Sequence, residues 1–385
     1  MHLAFHDNEL HKRFNPLTLT RPLSELRMGL FTNRERWLRL LGRDDNEFCV
    51  FATETYLNER YAKADENTEY LHINAAAIPD QSLAKEVSNL KVGEELRTEH
   101  DWIARKGLYK HGFEVKIAVN QPLLILKNTW DLFQENAKVL KNDFLFHTEG
   151  RKSQSLSSSN TVIGERELVF LEEGAYVEGA ILNTTNGPVY VGTEAEIMEG
   201  AMVRGPLALA EHAALKMGAK VYGASSFGPH CKVGGEVSNS IFIGYSNKGH
   251  DGFLGNSVIG EWCNLGADTN SSNLKNNYGK VKVYSYEKQD MVQTDVQFLG
   301  LLMGDHAKSG INTMFNTATV VGVSANIFGA EFPPKYIPSF AWGAAPEVKF
   351  DLQKVFETAE NMMQRRGIAL SAADKSVLTY LYELK

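Results

Sequence analysis

Residues 191–237 read VGTEAEIMEGAMVRGPLALAEHAALKMGAKVYGASSFGPHCKVGGEV, and the spacing of the apolar side chains in this stretch decides the fold. One returns every sixth position, at Val191, Ile197, Val203, Leu209, Leu215, Val221, Phe227 and Val233, in unbroken register. Four residues further on in each unit stand Ala195, Ala201, Leu207, Ala213, Ala219, Ser225, Cys231 and Val237, most of them small. A period of six is neither the roughly 3.6 of a helix nor the alternation of a simple strand. It fits short strands that turn three times per coil, each hexad sending one apolar side chain into a triangular interior. Glycine is expected where the corners demand positive φ or close approach.

The repeat resumes twice. Leu254-Gly255, Ile259-Gly260 and Leu265-Gly266 form a second run, and Met303, Ser309, Phe315, Val321 and Ile327 carry a third. Between the runs lie two non-repetitive segments, 245–253 and about 271–297. In a solenoid, insertions become loops on a regular wall, and such loops are where binding and chemistry are sought.

The remainder of the 385-residue chain has a different character. Of its 32 glycines, six fall in residues 1–150, 24 in 151–332 and two in 333–385. This divides the chain into 1–150, a β-helix over 160–332, and a tail over 333–385. With 40 Lys+Arg against 47 Asp+Glu, a net charge of −7 and no basic run, electrostatic binding to nucleic acid is excluded. Three scattered cysteines offer neither a disulfide framework nor a CxxC pair, which implies a reducing, cytoplasmic setting. No apolar run is long enough for a signal peptide or a membrane span, so no membrane association is expected.

The loop that interrupts the repeat contains Lys248-Gly249-His250-Asp251-Gly252. Glu236 lies fourteen residues before His250 and Asn264 fourteen after, so both are expected on coils next to the loop. A carboxylate within reach of one imidazole nitrogen would raise the basicity of the other, giving a general base.

A β-helix stacked from hexads resembles the left-handed β-helix of hexapeptide-repeat acyltransferases, which are homotrimers with active sites between subunits. More closely, KVYGASSFGPHCKVGGEV followed by NKGHDGFLGNSVIGEWCNLGADT resembles the acetyltransferase half of the bifunctional GlmU family. That resemblance implies acetyl-CoA as co-substrate and glucosamine 1-phosphate as acceptor. Carried over by position, His250 would be the general base and Glu236 its orienting partner. Lys220, Phe253, Asn264 and Asn273 would meet the sugar phosphate, and Ala267 the acetyl-CoA. The sequence departs from the family pattern at Lys220, where an arginine is usual, at Ser238, where a lysine is usual, and at Phe253, where a tyrosine is usual. These departures remove phosphate-binding charge and hydrogen-bonding capacity.

Residues 1–150 read as mixed α/β, with strands near Leu3–Phe5, Phe48–Ala52 and Tyr70–Ile73 and helices near Thr32–Leu41 and Asp131–Leu140. Within LTLTRPLSELRMG, Arg21 and Arg27 beside a Thr-Arg-Pro turn are candidates for gripping a nucleotide phosphate, or are simply solvated on a surface turn. This stretch, with LHINAAAIPD, PLLILKNTWDLFQENAKVLKNDF and the later GVSANIFGAEFPPKYIPSFAWG, resembles a divergent GlmU-like group of Bacteroidetes-type bacteria. There a shortened sugar nucleotidyltransferase-like domain precedes the β-helix. The resemblance implies nucleotidyl transfer from UTP to a sugar 1-phosphate with Mg²⁺. The usual Gly-rich loop is missing, however, and Asn74 stands where a metal-binding aspartate is expected, so no metal ligand is assigned.

In the tail, Pro333, Pro334 and Pro338 force an extended segment expected to seal the solenoid. An amphipathic helix over 351–366 ends at Arg365-Arg366, a pair that more often just satisfies the helix C-terminus but could also meet the 3′-phosphate of coenzyme A from a neighbouring subunit. The expected architecture is thus an α/β nucleotidyltransferase-like domain, a left-handed parallel β-helix and a short helical tail. Three functional readings follow: an N-acetyltransferase of amino-sugar nucleotide (UDP-N-acetylglucosamine) synthesis joined to a nucleotidyltransferase-like domain, a nucleotidyltransferase using the β-helix as trimerisation scaffold, or a non-catalytic sugar-nucleotide-binding protein.

Overall fold

The computed structural model describes residues 1–110, 112–118, 123–343 and 348–384; Pro122, which opens PLLILKNTW, lies outside them. The chain forms two compact units. The N-terminal unit comprises Met1–Phe14, Thr20–Leu26 and Phe31–Thr129, and the β-helix unit comprises Asn15–Leu19, Arg27–Leu30 and Trp130–Lys385.

In the N-terminal unit, β1 (Leu3–His6) is the middle of a parallel trio with β2 (Cys49–Ala52) and β3 (Tyr70–Asn74). The sheet is completed by β4 (Glu94–Arg97), β5 (Trp102–Gly107) and β6 (Glu114–Ile117), in the spatial order β2-β1-β3-β5-β4-β6. Leu3, Phe5, Phe51, Leu71 and Ile73 bury one face against α1 (Asn33–Leu40) and α2 (Gln81–Ser88). The start of α1 is fixed by a capping box, with Thr32 accepting from the Glu35 amide while the Glu35 carboxylate accepts from the Thr32 amide. Flanking β1 on both sides with parallel neighbours makes its carboxyl end a topological switch point, the place where α/β sheets open a ligand crevice.

The β-helix unit is a left-handed parallel β-helix of three sheets with eight, nine and eight strands. Residues i and i+18 pair from Val189 through Leu207 to Ser225, so three hexads make one coil. All eight side chains of the six-residue register, Val191 to Val233, point inward and are at most 2% exposed. Each coil therefore buries its apolar side chains on the coil beneath, the nearest-neighbour stabilisation of a repeat protein.

Glycine serves the corners only in part. Gly200 adopts φ +74°, and at Gly228 a Cβ would come within 1.9 Å of the Ile243 carbonyl oxygen on the next coil, so contact rather than dihedral requires it there. Five successive coils at one corner instead use aromatic residues in the left-handed region: His212 (φ 55°), His230 (57°), Tyr245 (54°), Trp262 (58°) and His306 (60°). Each costs roughly 1 kcal/mol or more in backbone strain. Stacking of their rings, at centroid separations of 4.6, 5.1, 4.2 and 6.5 Å in that order, offsets part of this cost.

The outer face of the nine-stranded sheet is covered. Asn136, at the start of α3 (Asn136–Thr148), donates to the Ala224 carbonyl and the Ser226 hydroxyl and accepts from the Gly29 amide. The expected single helix from 131 is two, a one-turn helix over Asp131–Gln134 and then α3, with the break at Glu135.

Register changes where the function is sought. Lys220 in β7 (Lys220–Tyr222) pairs Glu236 in β8 (Glu236–Ser238) at i+16. Lys232 pairs Asn247 in β9 (Asn247–Lys248) at i+15, and Glu236 pairs Phe253 in β10 (Phe253–Gly255) at i+17. Asn264 in β11 (Asn264–Leu265) pairs Lys308 only at i+44, because a loop carrying the hairpin β12 (Lys282–Ser285) and β13 (Asp290–Gln293) is inserted between them. Tyr284 of that hairpin stacks on Tyr336 at 3.6 Å. The proline-rich segment does extend the solenoid, with Tyr336–Ile337 as the last strand of its sheet. Then α4 (Leu352–Gln364), capped by Asp351, buries Val355, Ala359 and Met363, and α5 (Ala372–Glu383) follows.

Candidate functional site

The loop after β9 is built on a lysine that occupies an interior hexad position. Lys248 pairs with Val233 in the ladder and is 1% exposed, so its stem fills space taken by Leu215 and Val233 in the preceding coils. Its ammonium turns back to donate to the carbonyls of His250 at 2.7 Å and Asp251 at 3.1 Å. Burial pushes its pKa down to about 8, with Asp251 and Asp268 opposing the shift. The loop is thereby pinned by its own backbone, and the His250 side chain is left exposed.

His250 lines a cleft of about 430 Å³ together with Asn264 and Ala267, so these three sequence candidates come together. Tyr245 and Trp262 of the corner ladder line it as well. Four cations also converge there, Lys216 and Lys232 from the coils and Arg365 and Arg366 from the end of α4. None of the four forms an ion pair among the described residues. Burial, then Arg366, Lys216 and Arg365, lower the pKa of Lys232, and burial, His212 and Arg366 lower that of His230. Such crowding of like charge favours a bound polyanion.

Glu236 is placed elsewhere. Its carboxylate accepts a 2.6 Å hydrogen bond from the Tyr222 hydroxyl one coil earlier, and among the described residues no hydrogen bond joins it to His250. Phe253 and Asn273 line a second cleft, of about 490 Å³, with Tyr222 and Ser238. Lys220 is exposed and lines neither cleft. Sequence reasoning missed Tyr222, and it named Lys248 in the loop without its interior position, since a tyrosine or lysine inside a hexad carries no spacing signal of its own.

The two arginines of the N-terminal motif fall in different units. Arg21 is buried in the first. Arg27, in the second, spends its guanidinium on the carbonyls of Ile243 at 3.2 Å and Leu30 at 2.6 Å. The crevice of the N-terminal unit opens instead at the carboxyl ends of β1, β2 and β3, with a volume of about 420 Å³. His6 bonds His72 at 2.9 Å and stacks on Tyr109 at 4.6 Å. Burial, then His72 and Arg105, push the His6 pKa down to about 3, which keeps His6 neutral, and burial lowers that of His72 as well.

This crevice does not fit a Mg²⁺ site. The Asn74 amide is already used, accepting from Asn8 and from the Ala76 amide and donating to the Trp102 carbonyl. Asp7 accepts from the Leu23 amide, Thr53 and His11. Among the described residues no group of three His, Cys, Asp or Glu side chains is placed to hold a metal ion. Nor is any helix long and apolar enough to cross a membrane.

Residues 3–152 match the family model described as sugar nucleotidyl transferase. Curated relatives match over short stretches. The bifunctional protein GlmU of Methanocaldococcus jannaschii is 37% identical over 87 residues, 23% of this chain and 21% of that protein. The bifunctional sugar-1-phosphate nucleotidylyltransferase/acetyltransferase of Sulfurisphaera tokodaii is 32% identical over 93 residues, 24% of this chain and 23% of that protein. The chain thus spans about a fifth of the length of the curated relatives it matches. Among solved structures, the polySia-specific acetyltransferase NeuO is similar over 54% of this chain and 100% of its own, at 10% identity and a TM-score of 0.30.

Proposed function

We propose that the β-helix unit is an acetyl-CoA-dependent N-acetyltransferase of amino-sugar nucleotide synthesis, acting on glucosamine 1-phosphate or a related amino sugar. The observation that carries this reading is the single cleft in which His250, Asn264 and Ala267 meet four unpaired cations. The cations suit the phosphates of coenzyme A, and the exposed imidazole suits the amine. An ammonium has no lone pair, so His250 takes its proton; the freed amine attacks the thioester carbonyl and the C–S bond breaks. The coenzyme A thiolate takes the proton His250 holds and leaves as the thiol, and the nitrogen gives up its second proton to solvent to become the amide. Glu236, whose carboxylate accepts from the Tyr222 hydroxyl, is given no role in this step. The active form is proposed to be a homotrimer.

For the N-terminal unit, the match to sugar nucleotidyl transferases and the crevice at the switch point support binding of a nucleotide or sugar phosphate. The used-up Asn74 and Asp7 favour binding without metal-assisted transfer. The test of the main reading is thiol release from acetyl-CoA and glucosamine 1-phosphate. His250→Ala should lower kcat by about 100-fold or more while sedimentation shows an unchanged trimer. Undiminished thiol release in that variant, or none in the wild type with any amino sugar, would reject it.

A further inference from the structure

In the crevice of the N-terminal unit, a chain of hydrogen bonds fixes which atoms face a ligand. The Gly107 carbonyl can only accept, so His72 Nε2–H donates to it at 3.0 Å and His72 Nδ1 is left as an acceptor. His6 Nε2 therefore carries the proton of its 2.9 Å bond to His72 Nδ1, and His6 Nδ1 holds a bare lone pair. The His6 ring is only 5% exposed and lines the crevice, and its Nδ1 makes no hydrogen bond among the described residues. With a pKa of about 3 this imidazole does not take a proton from a ligand, so it acts as an acceptor and not as a base. Two further acceptors line the same crevice. Asn8 donates its NH₂ to the His6 carbonyl at 3.3 Å and to Asn74 Oδ1 at 3.2 Å, which orients the amide and leaves Asn8 Oδ1 as the presented atom. Glu54 adds a carboxylate that forms no hydrogen bond or ion pair among the described residues. Asp7, Asp65 and Glu66 line the crevice as well, against one cation, Lys63.

We propose that this crevice binds an amino sugar by its free ammonium, so that the N-terminal unit takes the unacetylated sugar in preference to the N-acetylated one. An ammonium has three N–H donors and no acceptor, which matches the neutral His6 nitrogen, the Asn8 oxygen and the Glu54 carboxylate. Bonds from a charged donor are the stronger kind, and the surplus of carboxylates over cations favours a positive ligand. Acetylation of the same nitrogen removes the charge, leaves one N–H and adds a carbonyl oxygen, which would face acceptors with nothing to receive. The proposal rests on the sugar-phosphate reading of the N-terminal unit and names the sugar: the same unacetylated amino sugar that the His250 cleft is proposed to acetylate.

The test is titration calorimetry on the full-length protein with UDP-glucosamine and UDP-N-acetylglucosamine, a pair that differs only at the amine, in a buffer that keeps the amine protonated. UDP-glucosamine should bind at least about tenfold more tightly. Glu54→Gln, which removes the charge and keeps the shape, should bring the two dissociation constants within about threefold of each other by weakening UDP-glucosamine alone. His6→Phe, which keeps a ring against Tyr109 and removes the acceptor, should do the same, with melting curves confirming that both variants fold. Equal affinity for the two nucleotide sugars in the wild type, or a preference unchanged in both folded variants, overturns the proposal. The two readings fail separately. Binding of both sugars with equal affinity rejects only the ammonium preference, whereas binding of neither rejects the sugar-phosphate reading of the N-terminal unit and the proposal with it.

Discussion

At the residue scale, Lys248 shows how one side chain can serve core and site together. A lysine in an aliphatic column costs desolvation, and the fold recovers some of that through two carbonyl bonds on the His250 loop. Its folded pKa of about 8 lies below the ordinary lysine value of 10.5, so the unfolded chain binds the extra proton across that interval. Stability should therefore rise with pH between about 8 and 10.5, because the ammonium penalty is present below the folded pKa and is relieved above it. Lys248→Met keeps the stem and removes the charge. It should abolish that rise in melting temperature relative to wild type and, by freeing the loop, lower kcat about tenfold with less effect on KM. Parallel melting curves from pH 7 to 10.5 would contradict the first expectation, and an unchanged kcat the second.

At the element scale, what was legible in the sequence was the wall rather than its attachments. Val191 to Val233 announced the interior column because a parallel β-helix can bury only what recurs at its own period. The corner of His212, His230, Tyr245, Trp262 and His306 was not legible, since those residues reach the left-handed region at a cost that stacking offsets only in three dimensions. Glycine holds that corner only earlier in the column, at Gly174. Likewise α4 declared its buried face through Val355, Ala359 and Met363, but amphipathicity says nothing of what lies at a helix end. Arg365 and Arg366 in fact line the His250 cleft of their own chain. If they grip the phosphates of coenzyme A, Arg365→Ala/Arg366→Ala should raise KM for acetyl-CoA about tenfold with kcat changed little. Loss confined to kcat would assign the pair to holding the helix instead.

At the scale of the whole molecule, a net charge of −7 is distributed so that chemistry differs from place to place. The His250 cleft gathers cations, the second cleft carries none among the described residues, and the crevice of the N-terminal unit holds Asp7, Glu54, Asp65 and Glu66 around Lys63. A triphosphate entering that last crevice would meet carboxylates whose charge only a metal could neutralise, and the groups best placed to hold one are committed to internal bonds. The two units are therefore expected to part ways in assay. With Mg²⁺, UTP and N-acetylglucosamine 1-phosphate, pyrophosphate release should stay at the background of a protein-free control, while the same preparation releases thiol from acetyl-CoA and an amino sugar. Titration calorimetry should still detect binding of UDP-N-acetylglucosamine, weakened by Tyr109→Ala, which removes the ring stacked on His6. Pyrophosphate released at turnover rates would show that the crevice recruits its metal by rearranging Asp7, and would restore nucleotidyl transfer to the N-terminal unit.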